Sequence, residues 1–116
     1  MRLVGNRWRR RRDLVMRGMD EGDEQPLDAA ALVEAHTEAL AATGLPGYGR
    51  RAVRAFEWFL GRNRLGVPVY DFGTGSGHDG LGSRLNENEG AESTLAFPRA
   101  LLALDRAGLQ ASLRRR

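Results

Sequence analysis

PLDAAALVEAHTEALAATGLPGYGRRAVRAFEWFLGRN, residues 26–63, decides the fold. Pro26 suits a first helical turn, Asp28 places an acid near the positive end of the helix dipole, and Gly44 stands where a left-handed C-cap is wanted. Leu32, Val33, Ala35, Ala39 and Leu40 recur near a 3.6-residue spacing, which predicts one buried stripe. The connection LPGYG is a turn, and its shortness makes the next helix, about Tyr48 to Arg62, an antiparallel neighbour. That second helix carries Val53, Phe56, Trp58, Phe59 and Leu60, enough aromatic surface to bury a large area against its partner. Phe56 and Phe59 are read as packing residues, whereas Trp58 suits either packing or stacking on a sugar ring. His36, a lone histidine within the first helix, is read as structural.

Working outward toward the C-terminus, YDFGTGSGHDGLGSRLNENEGAEST (70–94) crowds glycines, carboxylates and amides together and then runs into the apolar stretch Leu95–Leu104. A loop of this length in a small domain is usually functional or disordered. Aromatic and aliphatic residues on both sides, Tyr70 and Phe72 among them, argue against disorder. Asn86 and Glu89 have the spacing of a capping box, with Asn88 as a competing start, so a third helix is expected to follow. It is apolar on nearly all sides and is expected to be buried among several neighbours, with a kink or break at Pro98. The resulting fold class is all-α: an antiparallel helical hairpin plus a third buried helix after a long Gly-rich loop.

Working outward toward the N-terminus, residues 1–17 hold seven arginines against one acid, and residues 20–38 hold seven acids and no arginine. Three regions are expected: a basic, irregular arm over 1–22, a helical segment over 23–107 and a basic tail over 108–116. Trp8 with Arg9–Arg12 has the composition to hold a phosphate backbone and stack on a base. However, all eighteen basic residues are arginine in a chain rich in alanine and glycine, the mark of a coding bias, and nucleic-acid binding is therefore not the favoured expectation. The opposed charge blocks also suit an arm that is solvated or folded back on the acids. With 116 residues one domain is expected; the absence of cysteine removes disulfides and thiolate metal sites. Neither a signal peptide nor a membrane span is read, and a cytoplasmic location is expected.

The chemistry gathers where the loop meets the third helix. Glu92 in a first turn is held in its ionised form by the dipole, typically by ~0.3–1 kcal/mol, which suits a base, a nucleophile or a hydroxyl acceptor; a simple capping contact is the alternative. Asp79 with Glu92 form a candidate catalytic pair of the glycosidase type, whose separation would set the stereochemistry. The chain has no lysine for a phosphate loop and no GxGxxG opening a helix, so no nucleotide cofactor is expected. His78 and Asp79 lack a second clear ligand partner, and no metal is expected.

FEWFLGRNRLGVPVYD (56–71), HDGL (78–81) and NENEGAESTLA (86–96) together resemble the closing part of the α-helical domain carried C-terminally by many bacterial glycosyltransferase polypeptides, a domain similar to six-hairpin glycosidase toroids. VGNR (4–7) and DEQPLDAAALVEA (23–35) resemble earlier segments of the same region. The chain departs from the family pattern in having Glu24 and Glu89 where glutamine is usual, in Pro98, and in the Arg9–Arg12 run. The resemblance implies a partial sector of an (α/α)6 toroid and a carbohydrate-related role. Trp58, Tyr70, Asp71, His78, Asn86, Asn88 and Glu89 would then bind a saccharide or glycosylated substrate beside Asp79 and Glu92. Such a sector is not expected to be catalytic alone; it would need a missing upstream domain, and its open apolar face would favour self-association. The competing expectation is a small arginine-rich module that binds nucleic acid or protein through its arm.

Overall fold

The computed structural model describes residues 24–81, 85 and 89–109. Three helices carry the fold: α1 (Pro26–Thr43), α2 (Pro46–Glu57) and α3 (Ala91–Arg106). A 3-10 turn, Trp58–Leu60, continues α2, and two short strands, β1 (Tyr70–Asp71) and β2 (Ser76–Gly77), lie between it and α3. The Arg9–Arg12 run, Asn86 and Asn88 lie outside the described residues.

The first helix ends as its punctuation dictates. Gly44 adopts φ 70°, and its N–H closes on the Leu40 carbonyl at 2.7 Å, the αL stop that a β-carbon disfavours. The second begins two residues later and packs against the first. The buried stripe of α1 differs from the expected one: Ala29, Ala30, Val33 and Thr37 are buried, while Ala35 is exposed and Leu32, Ala39 and Leu40 are half-buried. Alanine occurs on every side of this helix, so apolar periodicity no longer marks one face: Ala29 and Ala30 are buried, while Ala31 and Ala35 are exposed.

Phe56, Trp58, Phe59 and Phe97 fill the centre together with Val33, Val53, Leu81 and Leu104. Phe97 bridges α3 to this cluster, 5.1 Å from the Phe56 ring and 5.6 Å from that of Phe59. Offset and edge-on aromatic pairs of this kind add ~0.5–1.5 kcal/mol each beyond the area they bury. Between the core and the strands, Asn63 holds the chain in a tight loop. Its amide donates to the carbonyls of Trp58 (2.9 Å) and Val67 (2.7 Å), and its oxygen accepts from Leu65 N–H (3.1 Å).

Three expectations about α3 need correction. The helix starts at Ala91 with Gly90 as N-cap, later than a capping box on Asn86 and Glu89 would place it, and Gly90 has no side chain with which to cap. The cap arrives from another segment: Asp79 Oδ1 accepts from Gly90 N–H at 2.7 Å. The helix also continues as one element through Pro98, which is exposed, instead of breaking into two pieces there. Nor is α3 buried all round, since Leu95 and Leu102 are 59% and 47% exposed while Ala96, Phe97, Ala100 and Leu104 face inward. Among the described residues no helix is long and apolar enough to cross a membrane.

Candidate functional site

The first part of the Gly-rich segment, residues 70–77, is a hairpin. β1 and β2 run antiparallel, with Tyr70 opposite Gly77 and Asp71 opposite Ser76, and the pairing continues through His78 N–H to the Val69 carbonyl at 2.9 Å. Gly75, at φ 74°, supplies the left-handed residue of the turn. Asp71 fixes that turn from inside, its Oδ1 accepting from Gly73 N–H at 2.8 Å and Thr74 N–H at 3.3 Å.

Strand alternation then sorts the side chains. Tyr70 stacks on Phe97 of α3, ring centroids 4.0 Å apart, and Gly77 lies directly on the backbone of Ser93. A β-carbon at Gly77 would stand 2.9 Å from the Ser93 carbonyl carbon, so glycine is what lets the hairpin lie against the helix. Thr94 Oγ1 accepts from Gly77 N–H at 3.2 Å and pins the contact. With Tyr70 and Gly77 turned toward α3, Asp71 and His78 share the other side as diagonal neighbours across the ladder.

A second knot ties the hairpin to the start of α1. Glu24 and Leu81 exchange backbone hydrogen bonds of 2.8 and 2.7 Å. Arg64 joins them, Nε donating to Glu24 Oε2 at 2.8 Å and a terminal nitrogen to the Leu81 carbonyl at 2.9 Å. Three stretches far apart in sequence, EQPL, GRNR and HDGL, thus meet at one point. Glu57 is buried as well, paired with Arg62 at 3.2 Å.

At the N-terminus of α3 an open cavity of about 390 Å³ is lined by Gln25, Pro26, Leu27, Asp79, Gly90, Ala91, Glu92 and Ser93. Asp79 and Glu92 therefore face one space, although Asp79 is at the same time the cap of the helix. Asp71, His78 and Glu89 form a second group: each offers one ligand-type atom, and these atoms lie within 4.8 Å of one another. The fold thus gathers around His78 companion donor groups that sequence spacing did not reveal.

Trp58 belongs to neither group. It is fully buried, so it presents no ring face to a sugar, and its indole N–H has no hydrogen-bond partner among the described residues. Tyr70 is half-buried with one face taken by Phe97. The exposed aromatic is Phe72, 68% accessible at the hairpin turn and edge-on to Tyr70 at 5.1 Å. Phe72 counted in the sequence only as an anchor, and an aromatic among glycines at a turn is the signal that marks it out. His36 lies elsewhere, stacked 6.2 Å from Tyr48 on the helical hairpin, with its pKa lowered by partial burial and by the nearby Arg51 charge.

The architecture defines a small helical protein whose polar hairpin is clamped to the N-terminal end of its last helix. No protein-family model matches the chain, and no curated protein matches it.

Proposed function

We propose that this chain is a saccharide-binding sector of a helical toroid of the glycosyltransferase-associated kind, not catalytic alone, with the hairpin and the start of α3 forming the mouth of the site. The observation that supports this reading is the shared cavity at the α3 N-terminus. It gathers two carboxylates, Asp79 and Glu92, with backbone at the start of a helix, in a space of about 390 Å³. Sugar hydroxyls are recognised by carboxylate acceptors and backbone groups of this sort, and small-ligand clefts start at ~300 Å³. Phe72 offers the apolar ring face that such ligands also use.

Three helices are a fraction of the roughly twelve that a six-hairpin ring requires. In this reading the remaining hairpins and a sugar-donor domain are supplied by further polypeptide. Asp79 and Glu92 contribute hydroxyl recognition here, and acid–base chemistry only in the assembled ring.

The test is a thermal-shift screen of the full chain against mono- and oligosaccharides, repeated with Glu92→Gln. Glu92 is exposed, so its replacement should leave the fold intact. A saccharide that raises the melting temperature of the parent and not of the variant supports the reading. No stabilisation by any saccharide, or equal stabilisation of both proteins, rejects it.

A further inference from the structure

We propose that Asp71, His78 and Glu89 form a binding site for a divalent transition-metal ion, with Zn²⁺ as the preferred occupant. The three residues come from separate parts of the chain: Asp71 from β1, His78 from the residue following β2, and Glu89 from the approach to α3. Their convergence results from the strand register and from the seating of the hairpin on α3, and neither of those needs an ion.

Distances decide whether an ion fits. Two donors bound at ~2.0–2.2 Å to one tetrahedral centre lie roughly 3.3–3.6 Å apart. His78 Nε2 and Glu89 Oε1 are 3.7 Å apart, already close to that spacing. All three ligand atoms fall within 4.8 Å of one another, so closing the set needs movements of about 1 Å, shared among small side-chain rotations. Asp71 is oriented in advance: the turn holds its Oδ1 through two backbone N–H groups, and a carboxylate retains further lone pairs. The side chains of His78 and Glu89 are 19% and 26% exposed, shielded enough to be ordered and open enough for an ion to enter.

The donor types choose the metal. One imidazole with two carboxylates suits Zn²⁺ and its transition-metal neighbours, whose sites mix nitrogen and oxygen. Ca²⁺ asks for six to eight oxygens and Mg²⁺ for near-octahedral oxygen coordination, and a histidine in a three-residue set serves neither. Three protein ligands leave a fourth position for water or for an oxygen of a bound molecule. The proposal does not depend on the saccharide reading, because the ion itself is the readout.

The experiment is a Zn²⁺ titration of the full, chelator-treated chain by calorimetry, with the two imidazoles followed by NMR. The chain has only two histidines, so each is the other's control. The expected result is one equivalent of Zn²⁺ bound, with the His78 ring resonances moving and those of His36 unmoved. Glu89→Gln and Asp71→Asn, which preserve shape and keep the turn's oxygen acceptor, should each weaken binding by about tenfold or more, and His78→Gln should abolish it. His36→Gln should bind as the parent does. Absence of Zn²⁺ binding, binding unchanged in His78→Gln, or binding lost in His36→Gln overturns the site. Mg²⁺ or Ca²⁺ shifting the His78 resonances as strongly as Zn²⁺ overturns the choice of metal.

Discussion

Arg64 reaches the buried carboxylate of Glu24 across forty residues of sequence, Nε to Oε2 at 2.8 Å, and its second nitrogen takes the carbonyl of Leu81. The contact holds the chain entering α1, the loop leaving the 3-10 turn and the end of the polar hairpin in one place. Glu24 is only 2% exposed, and a carboxylate so placed is tolerable because a guanidinium neutralises it and further hydrogen bonds satisfy its surroundings.

Replacing Arg64 with Met is therefore expected to destabilise the protein by about 1.5–3 kcal/mol, the usual worth of hydrogen bonds made to a charged group. Glu24→Gln in the same background should recover part of the loss, since a neutral amide interacts less strongly with the guanidinium than a carboxylate does. Urea unfolding of the two single variants and the double variant measures both effects. Additive single-variant losses would show that the two side chains act independently.

Gly77 and Gly47 make opposite predictions. A methyl group at Gly77 meets the backbone of Ser93, which cannot give way without lifting the hairpin from α3, so Gly77→Ala should cost about 1–3 kcal/mol. At Gly47, in the first turn of α2, the nearest atom to an added β-carbon is the mobile end of Arg50 at 3.6 Å. Gly47→Ala should stabilise by about 0.4–1 kcal/mol through reduced freedom of the unfolded chain. Thermal melts of the two variants side by side distinguish a required glycine from an incidental one.

These two features also mark where sequence reasoning reached and where it stopped. The stop of α1 was legible because Gly44 acts on its own helix, and the burial of Phe56 and Phe59 because aromatic bulk at helical spacing has few other uses. The start of α3 was not. Asn86 and Glu89 have the local spacing of a cap, whereas the Gly90 N–H is taken by Asp79, eleven residues earlier, and no local pattern records a contact made by a loop folding back. For the same reason Glu24, Arg64 and Leu81 gave no joint signal, and neither did Asp71, His78 and Glu89. The ambiguity of Trp58 was chemical, an indole having both a packing surface and a donor, and only burial resolves it.

Trp58→Phe should change stability by less than about 1 kcal/mol despite the residue's full burial. The loss of ring volume costs packing, while deletion of an indole N–H that has no partner among the described residues relieves a penalty of ~1–3 kcal/mol, and the two oppose each other. Trp58→Ala lacks the compensation of a retained ring and should cost about 3–5 kcal/mol. Denaturant midpoints of the pair test the balance, and a large loss in the Phe variant would mean that the N–H has a partner.

The helical hairpin carries a pH dependence of definite sign. Partial burial and the Arg51 charge place the folded-state pKa of His36 below its usual value of 6.5. The unfolded chain therefore takes up the proton first as pH falls. The contribution of His36 is fully present above about pH 6.5 and is lost as pH falls through the lower, folded value. Asp28 acts in the opposite sense nearer pH 4, because burial raises its pKa and the folded protein holds its proton longer. His36→Gln should flatten the dependence of urea midpoints between about pH 7 and pH 5, leaving the Asp28 contribution in place.

Asp79 both anchors the start of α3 and lines the cavity beside it, and the two can be separated. As the acceptor for Gly90 N–H it anchors the start of α3, and Asp79→Ala should cost about 1 kcal/mol, as removal of a helix cap usually does. Asp79→Asn keeps an oxygen acceptor but gives up the negative charge beside the helix dipole, so it should cost only about 0.3–1 kcal/mol. Glu92 lines the same cavity without capping, and Glu92→Gln should cost no more than the ~0.3–1 kcal/mol of its first-turn charge in the absence of ligand. If a saccharide stabilises the parent chain and Glu92→Gln loses that response, the two carboxylates divide the work: Asp79 builds the end of the helix and Glu92 meets the ligand. An equal loss of unliganded stability in Asp79→Ala and Glu92→Gln would instead make both carboxylates parts of the scaffold.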